Sequence, residues 1–162
     1  MPVSAAPQHI TDALAPSWPP ATVEAVFSAT ASFTTTFVAL RGPFATSIQL
    51  RLLFNGLRTR VDVLDFPPIS APFGSGVVTI AKVGGGSGGY LRGSVTLPIA
   101  LRFDRRGGEG SILELTLTTA APGSPVDAKG NAALAGLGVF RDGLLDGTAG
   151  TVIVSGTISP VP

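Results

Sequence analysis

The chain has 162 residues, enough for one domain with its own core, and its 11 basic and 10 acidic side chains leave a net charge of +1. With no basic run and so little excess charge, it lacks the electrostatic attraction that dominates nucleic-acid binding, and nucleic acid is excluded as an expected partner. There is no cysteine and only one histidine, His9, so disulfides and thiolate metal sites are excluded and any metal would have to be held by oxygen ligands.

Met1 to Ala21 carries five prolines together with His9 and Trp18 and no sustained period. It reads as an extended Pro-rich arm, with Pro16, Pro19 and Pro20 keeping the chain around Trp18 out of any helix. Trp18 is its one large apolar anchor, suited to covering a gap in this chain or a neighbour; the alternative is a loose tail. The stretch lacks the positive and apolar regions of a signal peptide, which leaves either a cytoplasmic protein or a mature secreted chain behind an added Met1.

Residues 22–162 read as one all-β domain. From Val23, apolar residues (Ala25, Phe27, Ala29, Ala31, Phe33, Phe37) share one parity, and Glu24, Ser28, Thr30, Ser32 and Thr34 take the other. This period of two, held far beyond a strand of about 5 or 6 residues, predicts one long curving strand that Arg41-Gly42-Pro43 ends. Ser47 to Leu64 then carries Asn55-Gly56 between alternating runs, the signature of a two-residue type I′ hairpin. That turn would pair Leu52 with Thr59, Leu50 with Val61 and Ile48 with Val63, an apolar stripe. On the other face it would set Arg51 against Arg60, with Arg58 and Asp62 beside them, and like charges opposed in a ladder are unfavourable.

Asp65 to Gly74, with Pro67, Pro68 and Pro72, reads as an extended crossing loop. Val77 to Val83 is a strand, and Gly84 to Gly89 a flexible connection. Gly93 to Phe103 alternates again, although Pro98 inside it marks an edge or a bulge. Ser111 to Thr119 is a strand and Ala120 to Asn131 a loop. In Ala132 to Phe140, Gly136 and Gly138 would each cost a helix about 1 kcal/mol, which favours a strand. A turn around Asp142 and a last strand, Gly150 to Ile158, complete the count. About eight to ten short strands with no convincing helix predict a single antiparallel β-sandwich or small β-barrel.

Catalytic vocabulary is sparse. Gly84, Gly86 and Gly89 satisfy G-x-G-x-x-G, and Gly85 to Gly89 satisfies G-x-S-x-G, but both motifs work only where a strand turns into a helix, and a period-two strand follows here. Asp142 with Asp146 and Asp104 with Glu109 share turns without the ligand density of a calcium loop, so no metal or cofactor is expected. Glu24 and Glu114 occupy polar strand positions that a barrel could bring together for acid–base work, though solvated faces explain them as well. No apolar run approaches the roughly 18 residues of a membrane helix.

Charged residues make up 13% of the chain, about half the usual share of roughly 25%, so much of the surface must be Thr, Ser, Ala and Gly. That composition inclines toward an extracellular or packed-together protein. The expected role is therefore non-catalytic: a β-domain for binding or structural assembly, with a protein partner or further copies of itself. Arg51, Arg58, Arg60 and Asp62 form the most specific charged patch, suited either to an anion or partner or to an ordinary solvated face. The competing expectation is a barrel whose Phe27, Phe33, Phe37, Phe54 and Phe103 line a cavity. Such a cavity would hold an apolar small molecule, or promote a cyclisation or isomerisation by shape.

Overall fold

The computed structural model describes residues 22–37, 44–55, 59–84, 86–91, 93–106, 108 and 110–161. The N-terminal arm with Trp18, and Gly56 and Arg58 of the hairpin, lie outside the described residues. Among the described residues there are ten strands: β1 (Thr22–Thr35), β2 (Phe44–Asn55), β3 (Arg60–Asp65), β4 (Ile69–Phe73), β5 (Gly76–Lys82), β6 (Gly86–Leu91), β7 (Ser94–Arg105), β8 (Ser111–Thr118), β9 (Asn131–Arg141) and β10 (Ala149–Pro160). All pair antiparallel, in the order β4-β5-β7-β6-β3-β2-β1-β10-β9-β8, and β8 returns to pair with β7. That last pairing closes eight strands, β7-β6-β3-β2-β1-β10-β9-β8, into a barrel, with β4 and β5 as an added hairpin on β7. The expected all-β class is present, and of its two forms it is the barrel.

Alternation along the strands decides what fills the barrel. On β1, Ala25, Phe27, Ala29, Ala31 and Phe33 are buried while Ser28, Thr30 and Thr34 are exposed, the half-buried pattern of a closed sheet. β1 is the long strand expected, pairing along its length with β2 (Phe27↔Leu50) and β10 (Phe27↔Ile158). It ends at Thr35, before the expected Arg41. Ile48, Leu50, Leu52, Phe54, Val61 and Val63 all point inward, as do Val95, Leu97, Ile99, Leu101 and Phe103 on β7. Aromatic rings lock the ends in edge-to-face contacts, Phe54 on Tyr90 at 5.3 Å and Phe103 on Phe140 at 4.8 Å between centroids.

The register of the β2–β3 hairpin departs from the expected one. Leu52 pairs with Val63, Phe54 with Val61 and Asn55 with Arg60, so residues 56–59 form the connection in place of a two-residue turn. Thr59 takes a positive φ of 50° there, and its carbonyl accepts the Tyr90 N–H at 2.9 Å. A longer loop suits β3 because it lets β3 pair on its other side with β6 as well, Val61 facing Gly88. The displacement is even on each strand, so the inward set is unchanged. The opposed arginines vanish: a bulge between Arg51 and Leu52 puts Asp65 opposite Arg51.

Two segments expected as connections are strands. Within the proline-rich crossing, Ile69–Phe73 forms β4, an edge strand where the missing N–H of Pro72 is tolerated. Within the glycine run, Gly86–Leu91 forms β6. The reason is closeness. A side chain at Gly88 would have its Cβ 1.8 Å from the Thr96 carbonyl oxygen, so glycine is what lets β6 lie this close against β7. Pro98 falls between the last β6 pair, Gly89↔Thr96, and the first β5 pair, Lys82↔Leu101, a local edge within an otherwise internal strand.

Candidate functional site

The interior offers little room. Phe27 and Phe54, with Leu50, Leu97, Leu134 and Val154, surround a cavity of about 10 Å³, space for about one water, whereas ligand pockets begin near 300 Å³. The five phenylalanines expected to line one cavity are divided. Phe33 meets Phe103 edge-to-face at 6.3 Å, away from the walls of that small cavity. Phe37, beyond the end of β1, stacks on Phe73 of the β4–β5 hairpin at 5.7 Å.

The described part of the arginine patch is internally paired. Arg51 forms an ion pair with Glu24 of β1, and Arg60 Nε reaches Asp62 Oδ1 at 3.1 Å. The Ser87 hydroxyl and then Arg60 hold the Asp62 carboxyl below the usual carboxylate range. With Asp65 opposite Arg51, carboxylates outnumber guanidinium groups among the described members of this face. Glu24 and Glu114 are not brought together: β10 and β9 stand between β1 and β8, and Glu114 engages Arg141. Among the described residues no three of His, Cys, Asp and Glu cluster to hold a metal.

The feature most unlike an ordinary sheet surface lies on β9. Its inward positions read Ala132, Leu134, Gly136, Gly138 and Phe140, and its outward ones include Ala135, which is covered, and Leu137 and Val139, which are not. At its centre the strand is reversed, with large apolar side chains outside and none inside. Leu137 and Val139 are 69% and 62% exposed. The inward glycines are required because β8 passes close: a Cβ at Gly138 would lie 2.4 Å from the Glu114 carbonyl oxygen, and one at Gly136 2.7 Å from that of Thr116. Around Leu137 runs an apolar groove of about 360 Å³, walled by Pro122, Ala135, Thr116 and Thr151. A second groove of about 400 Å³, of mixed polar and apolar lining, lies over Pro98, Ala100 and Glu114 and shares Thr116 with it.

The rim of this face carries charge of both signs. Arg141 Nε is 3.2 Å from Glu114 Oε1 and Nη1 is 3.1 Å from Asp142 Oδ2; hydrogen bonding and attraction from Glu114 raise the Arg141 pKa further. The face was missed in the sequence, where Gly136 and Gly138 served only to argue against a helix. The signal was present. Once Leu134 and Phe140 are set inward, period two sends Leu137 and Val139 outward with nothing to cover them.

No family model, curated protein or solved structure matches this chain. What the molecule does therefore rests on its own surfaces.

Proposed function

We propose that the chain is a non-catalytic assembly domain that packs the outer face of β8, β9 and β10 against a second copy of itself. The observation that carries this reading is the pair of exposed apolar side chains, Leu137 and Val139, the first of them lining an apolar groove, on a barrel whose own interior is filled. Contiguous exposed apolar surface marks association sites, whereas single exposed residues need no explanation, and here two large side chains two residues apart project from one strand face. Two features favour a second copy as the occupant. A net charge of +1 leaves little repulsion between identical chains. The rim holds Arg141 paired with Glu114 and Asp142 of its own chain, so the charges at the edge of this face are balanced within each copy and oppose the approach of another one little. An apolar ligand or a shape-driven isomerisation inside the barrel has less support, because the cavity of about 10 Å³ would have to grow more than tenfold.

Sedimentation velocity over a concentration series tests the reading. Self-association that Leu137→Lys with Val139→Lys abolishes, with unchanged far-UV circular dichroism, is the expected result. A strict monomer at high concentration overturns it, as does an oligomer indifferent to the two lysines.

A further inference from the structure

A second surface, on the β4–β5 hairpin, is independent of the assembly face. Six arginines lie among the described residues. Arg51, Arg60, Arg102 and Arg141 each have a carboxylate partner, whereas Arg105 and Arg106 form no ion pair with any described residue. Both line a cleft of about 330 Å³ with Phe73, Gly74, Ser75 and Val77. Asp104, their neighbour in sequence, is already held by Arg102 at 2.8 Å.

The cleft is built in layers. Phe37 stacks on Phe73 with rings 22° apart, and the Arg105 guanidinium lies over Phe73 at 5.7 Å from the ring centroid. A guanidinium held near a ring without a carboxylate partner among the described residues has N–H donors to offer, and its fork matches the oxygens of a carboxylate, sulfate or phosphate. The hairpin turn allows close approach, since Gly74 sits at φ 58° and Ser75 adds a hydroxyl. Val77, more than half exposed, supplies an apolar wall beside the ring. Charge, aromatic floor and apolar wall together fit one kind of molecule.

We infer that the cleft between Phe73 and Arg105–Arg106 binds a soluble amphiphilic anion, an oxyanion head on a small apolar body. The head lies between the two guanidinium groups, and the body lies against Phe73 and Val77. Phenyl phosphate is a suitable probe, with inorganic phosphate and benzyl alcohol supplying the head and the body alone. Calorimetric titration of the full chain should show saturable binding of phenyl phosphate, at least tenfold tighter than phosphate and undetectable for benzyl alcohol. Raising the ionic strength to about 1 M, where the screening length falls to about 3 Å, should weaken it. Arg105→Gln with Arg106→Gln, which keeps much of each side chain's length and hydrogen-bonding capacity, should weaken it tenfold or more, while Lys129→Gln, an exposed cation on the turn before β9, should leave it unchanged. The inference is overturned if phenyl phosphate does not bind at millimolar concentration, if phosphate binds as well as phenyl phosphate, or if the double variant binds unchanged. Capture of the chain by phosphatidic acid vesicles in an Arg105-dependent manner, without binding of phenyl phosphate, would assign the cleft to a lipid surface instead.

Discussion

Two alanine substitutions two residues apart on β6 should have opposite effects. In an ordinary strand, replacing glycine by alanine stabilises by about 0.4–1 kcal/mol because the unfolded chain loses freedom. Gly86 is such a site: its added Cβ would meet Val63 Cγ2 at 3.4 Å and the Pro98 oxygen at 3.7 Å, ordinary contacts. Gly88 is not. There the Cβ would lie 1.8 Å from the Thr96 carbonyl oxygen, 2.8 Å from its carbon and 2.9 Å from Leu97 Cα, and all three atoms are backbone with no rotamer to yield. β6 would have to move away from β7 by on the order of 1 Å, and overpacking that displaces backbone costs about 3 kcal/mol, the upper end of the usual range. A domain of this size has a total stability of about 5–15 kcal/mol, so the loss is easily measured. Urea unfolding followed by far-UV circular dichroism should give Gly86→Ala a midpoint at or above the parent and Gly88→Ala one far below it. If the two variants fall within about 0.5 kcal/mol of each other, the close approach of β6 to β7 is wrong, and so is the account of why the glycine run is a strand.

The remaining predictions concern charge. Because the Arg51–Glu24 and Arg60–Asp62 pairs lie at the surface with their arginines about half exposed, Arg51→Ala with Arg60→Ala should change stability by no more than about 1 kcal/mol; a larger loss in the same urea assay would give this face a structural role that its exposure does not support. Asp62 has a depressed pKa in the fold, so the stability it contributes is present above about pH 3.9, its unfolded value, and is lost as pH falls through the lower folded value. Asp62→Asn should therefore show a smaller drop in urea midpoint between pH 7 and pH 3 than the parent, and an equal drop would remove Asp62 from the acid response.

Some of these features could be read along the chain and others could not. The strand segments on β1, β2, β7, β8 and β10 were visible because side-chain alternation is a local property, repeated every two residues whatever the partner. β4 and β6 were hidden for a related reason: proline at an edge and glycine at a close approach look like loops unless the neighbouring strand is known. The β2–β3 register was misjudged for the same cause, since Asn55-Gly56 favours a tight turn locally while pairing of β3 with β6 favours the wider one. Of the surfaces, the Arg51–Arg60–Asp62 face was found in the sequence but owes its balance to Glu24 and Asp65, brought in by pairing. Arg105 and Arg106 drew no notice there, because their lack of acidic partners among the described residues appears only once Asp104 is seen on Arg102.

Sequence by itself determined that this chain is a β protein and which side of each regular strand faces the core. An even shift of register leaves that parity intact, which is why the inward set survived a wrong turn. Only the tertiary structure decided that the sheet closes, through β7 meeting β8. It also decided that the barrel fills itself with Phe27, Phe54 and their neighbours, and that Gly136 and Gly138 turn Leu137 and Val139 to the outside. Closure and close approach are relations between residues distant along the chain, and no periodicity within one segment carries them.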